Sequence, residues 1–250
     1  RLCLLRLPGA IDANAVQVVR TAGPARLELV APSVKAYLSR VALEAQAFPS
    51  PSAQALIAAA NTDGDVMPGG MKPSANLRSS LDKHLFFKVG SFLDVFERIC
   101  ESHITRGDTT AALVAAERAA ATSHPFGSGF LFQADLFARL GRAEEARDTY
   151  RIALMMPLWS LGTSCPLAIA EKANQAPLEA FLQSVKEFNQ KGQKEDEMPD
   201  PLVLIDEVFN TAGLQIEAGK VAGWEACRAQ LEPLFLDARN DKMASFVAGK

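Results

Sequence analysis

Apolar residues recur every three or four positions along most of the chain, the period of a helix with one buried face. The spacing predicts a helix over 33–48, opened by Pro32 and striped by Val34, Tyr37, Leu38, Val41 and Ala45, and a shorter one over 52–60. Residues 12–21 also read as helical. Asn61–Ser74 holds three glycines and two prolines in fourteen residues and reads as a loop, after which 76–89 returns to helix. In the middle the pattern repeats. Phe96–Ala119 and Phe130–Ala153 align at a step of 34 residues, which pairs Phe96 with Phe130, Cys100 with Ala134, His103 with Phe137 and Gly107 with Gly141. The same step pairs Ala112 with Ala146, Ala116 with Tyr150 and Ala119 with Ala153. Each copy is an apolar stripe, a glycine able to end a helix in the left-handed conformation, a second stripe and a proline, Pro125 or Pro157.

A further step of 34 lands on Ala168 and Ala180, where Pro166 and Pro177 suit first helical turns, and predicts a decayed third copy with a shortened first helix. Asn189–Asp200 is a polar run. Helices over 201–218 and 222–239, with Gly219 between them, form a terminal pair expected to cap the array. The expected organisation is a helical region and loop over 1–75, repeats over 76–189 (about 93–126, 127–160 and 161–189), a linker over 190–200, and a helical pair and tail over 201–250.

The two clear copies resemble the tetratricopeptide repeat, a helix-turn-helix unit of 34 residues. Small residues at Cys100, Ala112, Ala119, Ala134, Ala146 and Ala153 let two antiparallel helices approach, while Phe96, Phe130, Phe137 and Tyr150 fill the grooves between pairs. The copies depart from the family pattern at His103, Ala116 and Gln133 and in the placing of both prolines. The resemblance implies an all-α fold, a right-handed α-α superhelix with flanking helices, whose inner helices line a groove for a partner segment. The positions it assigns to that groove are Asp94, Glu97, Glu101, Ile104 and Thr105, then Ser128, Leu131, Asp135, Ala138 and Arg139. Four acids stand there against one base. Lys and Asn serve family members that hold chaperone tails, so acids at Glu97 and Glu101 disfavour that ligand.

Composition narrows the function classes. The chain is rich in alanine and has only two tyrosines and two tryptophans, which favours helix over sheet. Its net charge of -3 and pI near 5.7 supply no overall cationic field for nucleic acid or anionic lipid. Apolar stretches such as Ser52–Ala60 and Leu154–Leu161 fall short of the roughly 20 residues a membrane helix needs. The start at Arg1, with Arg1–Leu7 too brief for an intact targeting peptide, raises the expectation of a processed form or a fragment.

Candidate chemistry is sparse. Cys3, Cys100, Cys165 and Cys227 lie far apart without a C-x-x-C, and with three histidines they point to no metal site or disulfide framework. Cys100 and His103 share a helix face at a spacing compatible with a thiol and its base, but both occupy repeat packing positions. Asn61, Asp63 and Asp65 suggest half a calcium loop, whose closing carboxylate is replaced by Lys72. Gly69-Gly70 and Gly127-x-Gly129 lack the rest of any phosphate-binding motif and read as turn punctuation.

These features predict a protein-binding module and no enzyme, with no cofactor and no metal: a scaffold or assembly factor, or a subunit of a larger complex. The expected partner segment carries basic and apolar residues; nucleic acid is not expected, and membrane association would be peripheral, through a complex. The alternatives are an enzyme or an RNA-binding protein with a helical-repeat region. Among tetratricopeptide-like proteins the chain is similar to plastid assembly factors, which implies a chloroplast location, the alternative being the cytoplasm.

Overall fold

The computed structural model describes residues 1–6, 16–23, 25–48, 50–62, 77–123, 125–191, 200–220 and 223–249. Among them three short strands come first, β1 Leu2–Arg6, β2 Val16–Gly23 and β3 Arg26–Ala31. They form one sheet in the order β1-β2-β3, β1 and β2 running antiparallel with Leu2 opposite Arg20 and Arg6 opposite Val16. The described residues are mostly helical, as expected, but this small sheet is an addition to the all-α class, and it corrects the helix expected over 12–21. Residues 12–15 lie outside the described residues, and 16–21 are strand. Three valines, Val16, Val18 and Val19, are stiff at χ1 and suit a pleated ladder better than a helix. Their pairing with β1 supplies the backbone hydrogen bonds that local propensity does not reveal.

Twelve α-helices follow among the described residues. In order they are α1 Val34–Ala47, α2 Pro51–Thr62, α3 Leu77–His84, α4 Leu93–Thr105, α5 Thr109–Ser123 and α6 Ser128–Arg139. The rest are α7 Ala143–Met155, α8 Pro166–Lys172, α9 Leu178–Lys191, α10 Pro201–Glu217, α11 Arg228–Asp237 and α12 Asp241–Ala248. The helix expected over 33–48 starts where Ser33 caps it, its side chain accepting from the Ala36 N–H at 3.1 Å. The helix expected over 76–89 ends as a π-helical turn, Leu85–Val89. The terminal pair is instead three helices, because the second predicted helix is divided into a 3-10 turn, Trp224–Cys227, and α11, and α12 follows. The calcium-like loop from Asp63 onward, the Gly69-Gly70 pair and residues 192–199 of the predicted linker lie outside the described residues.

The chain divides into two compact units, Arg1–Arg20 with Leu29–Ser123, and Thr21–Glu28 with His124–Lys250. In the first, Val18, Leu43, Leu81, Leu85, Phe92 and Val95 form an apolar core, and the α4–α5 hairpin closes over Cys100, Ala112, Ala116 and Ala119, all at most 2% exposed. In the second, Leu131, Ala134, Ala146, Tyr150 and Ala153 pack α6 against α7, and the same core continues to Ile169 and Leu178. A separate cluster of Ile205, Leu231, Phe235 and Val247 holds α10, α11 and α12.

The two hairpins turn the same way. Gly107 and Gly141 both adopt left-handed backbone, with φ of 76° and 75°. After each, the next N–H donates back to the helix, Asp108 to the His103 carbonyl and Arg142 to the Phe137 carbonyl, both at 2.9 Å. This Schellman closure satisfies carbonyls that a helix end leaves open. The following caps differ: Asp108 accepts from the Ala111 N–H at 3.0 Å, whereas Arg142 pairs with Glu145 instead.

Candidate functional site

Helix α4 carries the first predicted groove residues because its sequence divides cleanly between faces. Val95, Phe96 and Cys100 are buried, while Glu97 and Glu101 face solvent. Ile104 is half-buried, and Thr105 is exposed with its hydroxyl donating to the Glu101 carbonyl at 2.8 Å.

Asp94, in the first turn, is engaged inside its unit. Arg40 of α1 grips it with two parallel hydrogen bonds, Nη1 to Oδ1 at 2.7 Å and Nη2 to Oδ2 at 2.6 Å. Arg98 adds a third at 2.9 Å and reaches on to Asp82 of α3 at 2.7 Å. Arg40 also pairs with Glu44 and lies over the Phe92 ring, 4.9 Å from its centroid. Burial alone would lift the Asp94 carboxyl, but the hydrogen bonds and charges of Arg40 and Arg98 outweigh it and hold the group below its ordinary value. The Arg40 guanidinium, which burial would lower, is raised by Asp94 and Glu44. The network therefore stays charged while tying α1, α3 and α4 together.

The matching stretch in the second unit behaves in a parallel way. Leu131 is 5% exposed and belongs to the core, Ser128 is half-buried, and Ala138 and Arg139 are exposed. Asp135 accepts a hydrogen bond from the Tyr150 hydroxyl and another from Lys172 Nζ at 3.1 Å, while the Lys172 ammonium stands 5.1 Å from the Tyr150 ring centroid. Burial, then the bond to Asp135, raises the Tyr150 hydroxyl, and the bond to Asp135 raises Lys172, so Tyr150 keeps its proton and Lys172 its charge near neutral pH. Of the four acids expected on the groove, Asp94 pairs with Arg40 and Asp135 with Lys172, each within its own unit, and Glu97, Glu101 and Asp135 are exposed. The sequence pointed to the acids but not to Arg40, Lys172 or the Tyr150 hydroxyl. Arg40 stands 54 residues from Asp94 and Lys172 stands 37 from Asp135, so no local spacing connects them.

The Cys100–His103 pair is not a thiol with its base. The Cys100 Sγ directs its proton at the Ala112 carbonyl of α5, 3.2 Å away, and His103 Nδ1 faces Asp108 at 3.6 Å and Arg106 at 3.2 Å. Of the Gly127-x-Gly129 pair read as turn punctuation, Gly129 lies inside α6 and Gly127 sits in the turn before it. Among the described residues no three His, Cys, Asp or Glu side chains are grouped to hold a metal, and no helix is long and apolar enough to cross a membrane.

The middle of the chain is built of helical hairpins, and residues 93–176, from α4 through α8, match the family model described as the PAB middle domain. The chain is also similar to the Protein IN CHLOROPLAST ATPASE BIOGENESIS, chloroplastic, of Arabidopsis thaliana, at 32% identity over 171 residues. That match covers 65% of this chain and 48% of the relative, so the chain spans about half the length of the curated relative it matches. No solved structure matches the chain.

Proposed function

We propose that this protein is a chloroplast assembly factor that acts in the biogenesis of a chloroplast ATPase, by binding a partner segment and not by turnover. The observation that carries the reading is the likeness over 171 residues to a chloroplastic protein named for ATPase biogenesis. That relative supports a location in the chloroplast and an assembly role.

The way it binds is part of the same proposal. The α4–α5 and α6–α7 hairpins act as tetratricopeptide-type repeats of a right-handed superhelix, supported by their matched glycine turns and by alanines at equivalent crossings. The partner segment is basic and apolar and meets the inner helices. On α4, Glu97 and Glu101 provide exposed charge, with Ile104 on the same helix and Asp94 fixing that helix in its unit; on α6, Ala138 and Arg139 are the exposed contacts, with Asp135 and Leu131 fixing that helix in its own unit. Depleting the protein in its source organism should lower the amount of assembled chloroplast ATPase and leave other photosynthetic complexes unchanged. Normal ATPase accumulation in the depleted line would overturn the reading.

A further inference from the structure

A second surface in the 124–250 unit has the make-up of a recognition site. The end of α7, one face of α9 and one face of α10 enclose an open trough of about 540 Å³. Its walls run from Glu179 to Lys186 along α9 and from Val203 to Gln215 along α10, with Ala218 and Lys220 in the turn just after it. At 1.5 Å per residue, the Val203–Gln215 wall alone is roughly 20 Å long, which suits an elongated segment better than a compact ligand. Leu154, 1% exposed, lies at the floor, with Leu182 and Leu214 beside it, while Met155 and Val203 stand at the surface at 56% and 48% exposure. Large apolar side chains left open along a trough mark an interaction site more often than an isolated exposed leucine does.

The charges on the walls select the occupant. Glu207 is paired with Lys186 across the trough, so those two cancel. Asp206, one residue away, is solvent-exposed and lines the trough with no hydrogen-bond or ion-pair partner among the described residues. Glu179 likewise has no partner among the described residues. Three carboxylates against Lys186 and Lys220 leave the walls net acidic. An exposed carboxylate at the edge of an apolar trough, without a counter-charge among the described residues, is a ready pairing point for an incoming cation.

We propose that the α9–α10 trough binds an amphipathic helix of a partner protein, whose apolar residues cover Met155, Val203 and Leu182 and whose Lys or Arg pairs with Asp206. This is the helix-in-groove mode, in which anchors at three- and four-residue spacing give affinity and one charge fixes the register. The site is separate from the α4 and α6 residues discussed above.

The test uses the full chain and a fluorescein-labelled synthetic helix of leucine and lysine, about four turns long, with a leucine and glutamate helix of the same pattern as control. Fluorescence anisotropy should show binding of the leucine-lysine helix and none of the control. Asp206→Lys and Val203→Glu should each weaken binding at least about tenfold, Asp206→Asn should weaken it less and remove most of its salt dependence, and Glu101→Lys should change it less than about twofold. Circular dichroism checks that helix content is retained; should Asp206→Lys unfold the chain, Asp206→Asn decides the question. Amide exchange should slow in α9 and α10 when the helix is bound. Unchanged affinity in Asp206→Asn and Val203→Glu, or an equal loss in Glu101→Lys, would overturn the proposal. Self-association of the chain that Val203→Glu abolishes, without any peptide binding, would overturn it in favour of a second copy as occupant.

Discussion

Replacing Gly127 by alanine sets two physical effects of opposite sign against each other. Gly127, immediately before α6, has φ of −69° and ψ of −17°, a conformation open to any L residue. On backbone grounds alone, alanine would stabilise the fold by about 0.4–1 kcal/mol, because the unfolded chain loses more freedom. The surroundings oppose it. A Cβ at this position would lie 2.7 Å from Leu161 Cδ2 and 3.2 Å from both the Ala153 carbonyl oxygen and Met156 Cβ. Leu161 is 1% exposed, so its methyl cannot swing into water, and the Ala153 oxygen belongs to the backbone of α7. Forcing one carbon into such a site costs about 1–3 kcal/mol, and the central values of the two effects leave a net loss of about 1 kcal/mol. Urea unfolding followed by tryptophan fluorescence reads this directly, since Trp159 and Trp224 both lie in the unit that contains Gly127 and Trp159 packs edge-on to Phe126 at 5.5 Å. The midpoint should fall in Gly127→Ala, and most of that fall should vanish when the substitution is made in a Leu161→Ala background. A raised midpoint, or a cost that Leu161→Ala does not change, would refute the packing argument.

Asp94→Ala should destabilise the first unit by about 1 kcal/mol at neutral pH, held to that size because the Asp94 side chain is 42% exposed and water screens the pair. Since the folded carboxyl is depressed, its contribution is complete above the ordinary carboxylate range near pH 4 and fades as pH falls through the folded value, so wild type and variant should converge in acid; a gap that persists would contradict the ion-pair assignment. Cys3 and Cys165 are exposed and should label with a thiol reagent in the native state, whereas Cys100 and Cys227 should label only in denaturant; immediate labelling of Cys100 would remove its packing role. Ala112→Arg and Ala146→Arg should each cost on the order of 3 kcal/mol or more, since both alanines are at most 3% exposed at helix crossings, and wild-type melting of either variant would contradict those crossings.

What could be read in the sequence was what local rules control. Gly107 and Gly141 announced their turns because few other residues adopt that backbone, and Ala112, Ala119 and Ala153 announced close crossings because a row of small residues at helical spacing has few other uses. The shortened first helix expected of the third copy corresponds to α8, seven residues opened by Pro166. The sheet was not legible, because β2 is stabilised by pairing with β1 across a gap of nine residues, and an alanine and valine run has no decisive period. The networks around Asp94 and Asp135 were hidden for a related reason: Arg40, Lys172 and Tyr150 reach them only after the helices have packed. Nor could the sequence show that Asp94, on the same helix as Glu97 and Glu101, is the acid gripped by Arg40, because only the packing of α1 against α4 brings that guanidinium to it.

Capture of ATPase subunits from chloroplast extract by the tagged protein, at low and at moderate salt, tests most directly whether the chain acts by binding an assembly partner. The wild-type chain should recover one or more subunits of the chloroplast ATPase, with recovery that falls as salt rises over the range in which the screening length shrinks below about 10 Å. Reversing Glu97 and Glu101 to Lys should abolish that recovery while helix content stays nearly constant. Recovery of no ATPase subunit by the wild-type chain, or undiminished recovery by the double reversal, would contradict the account.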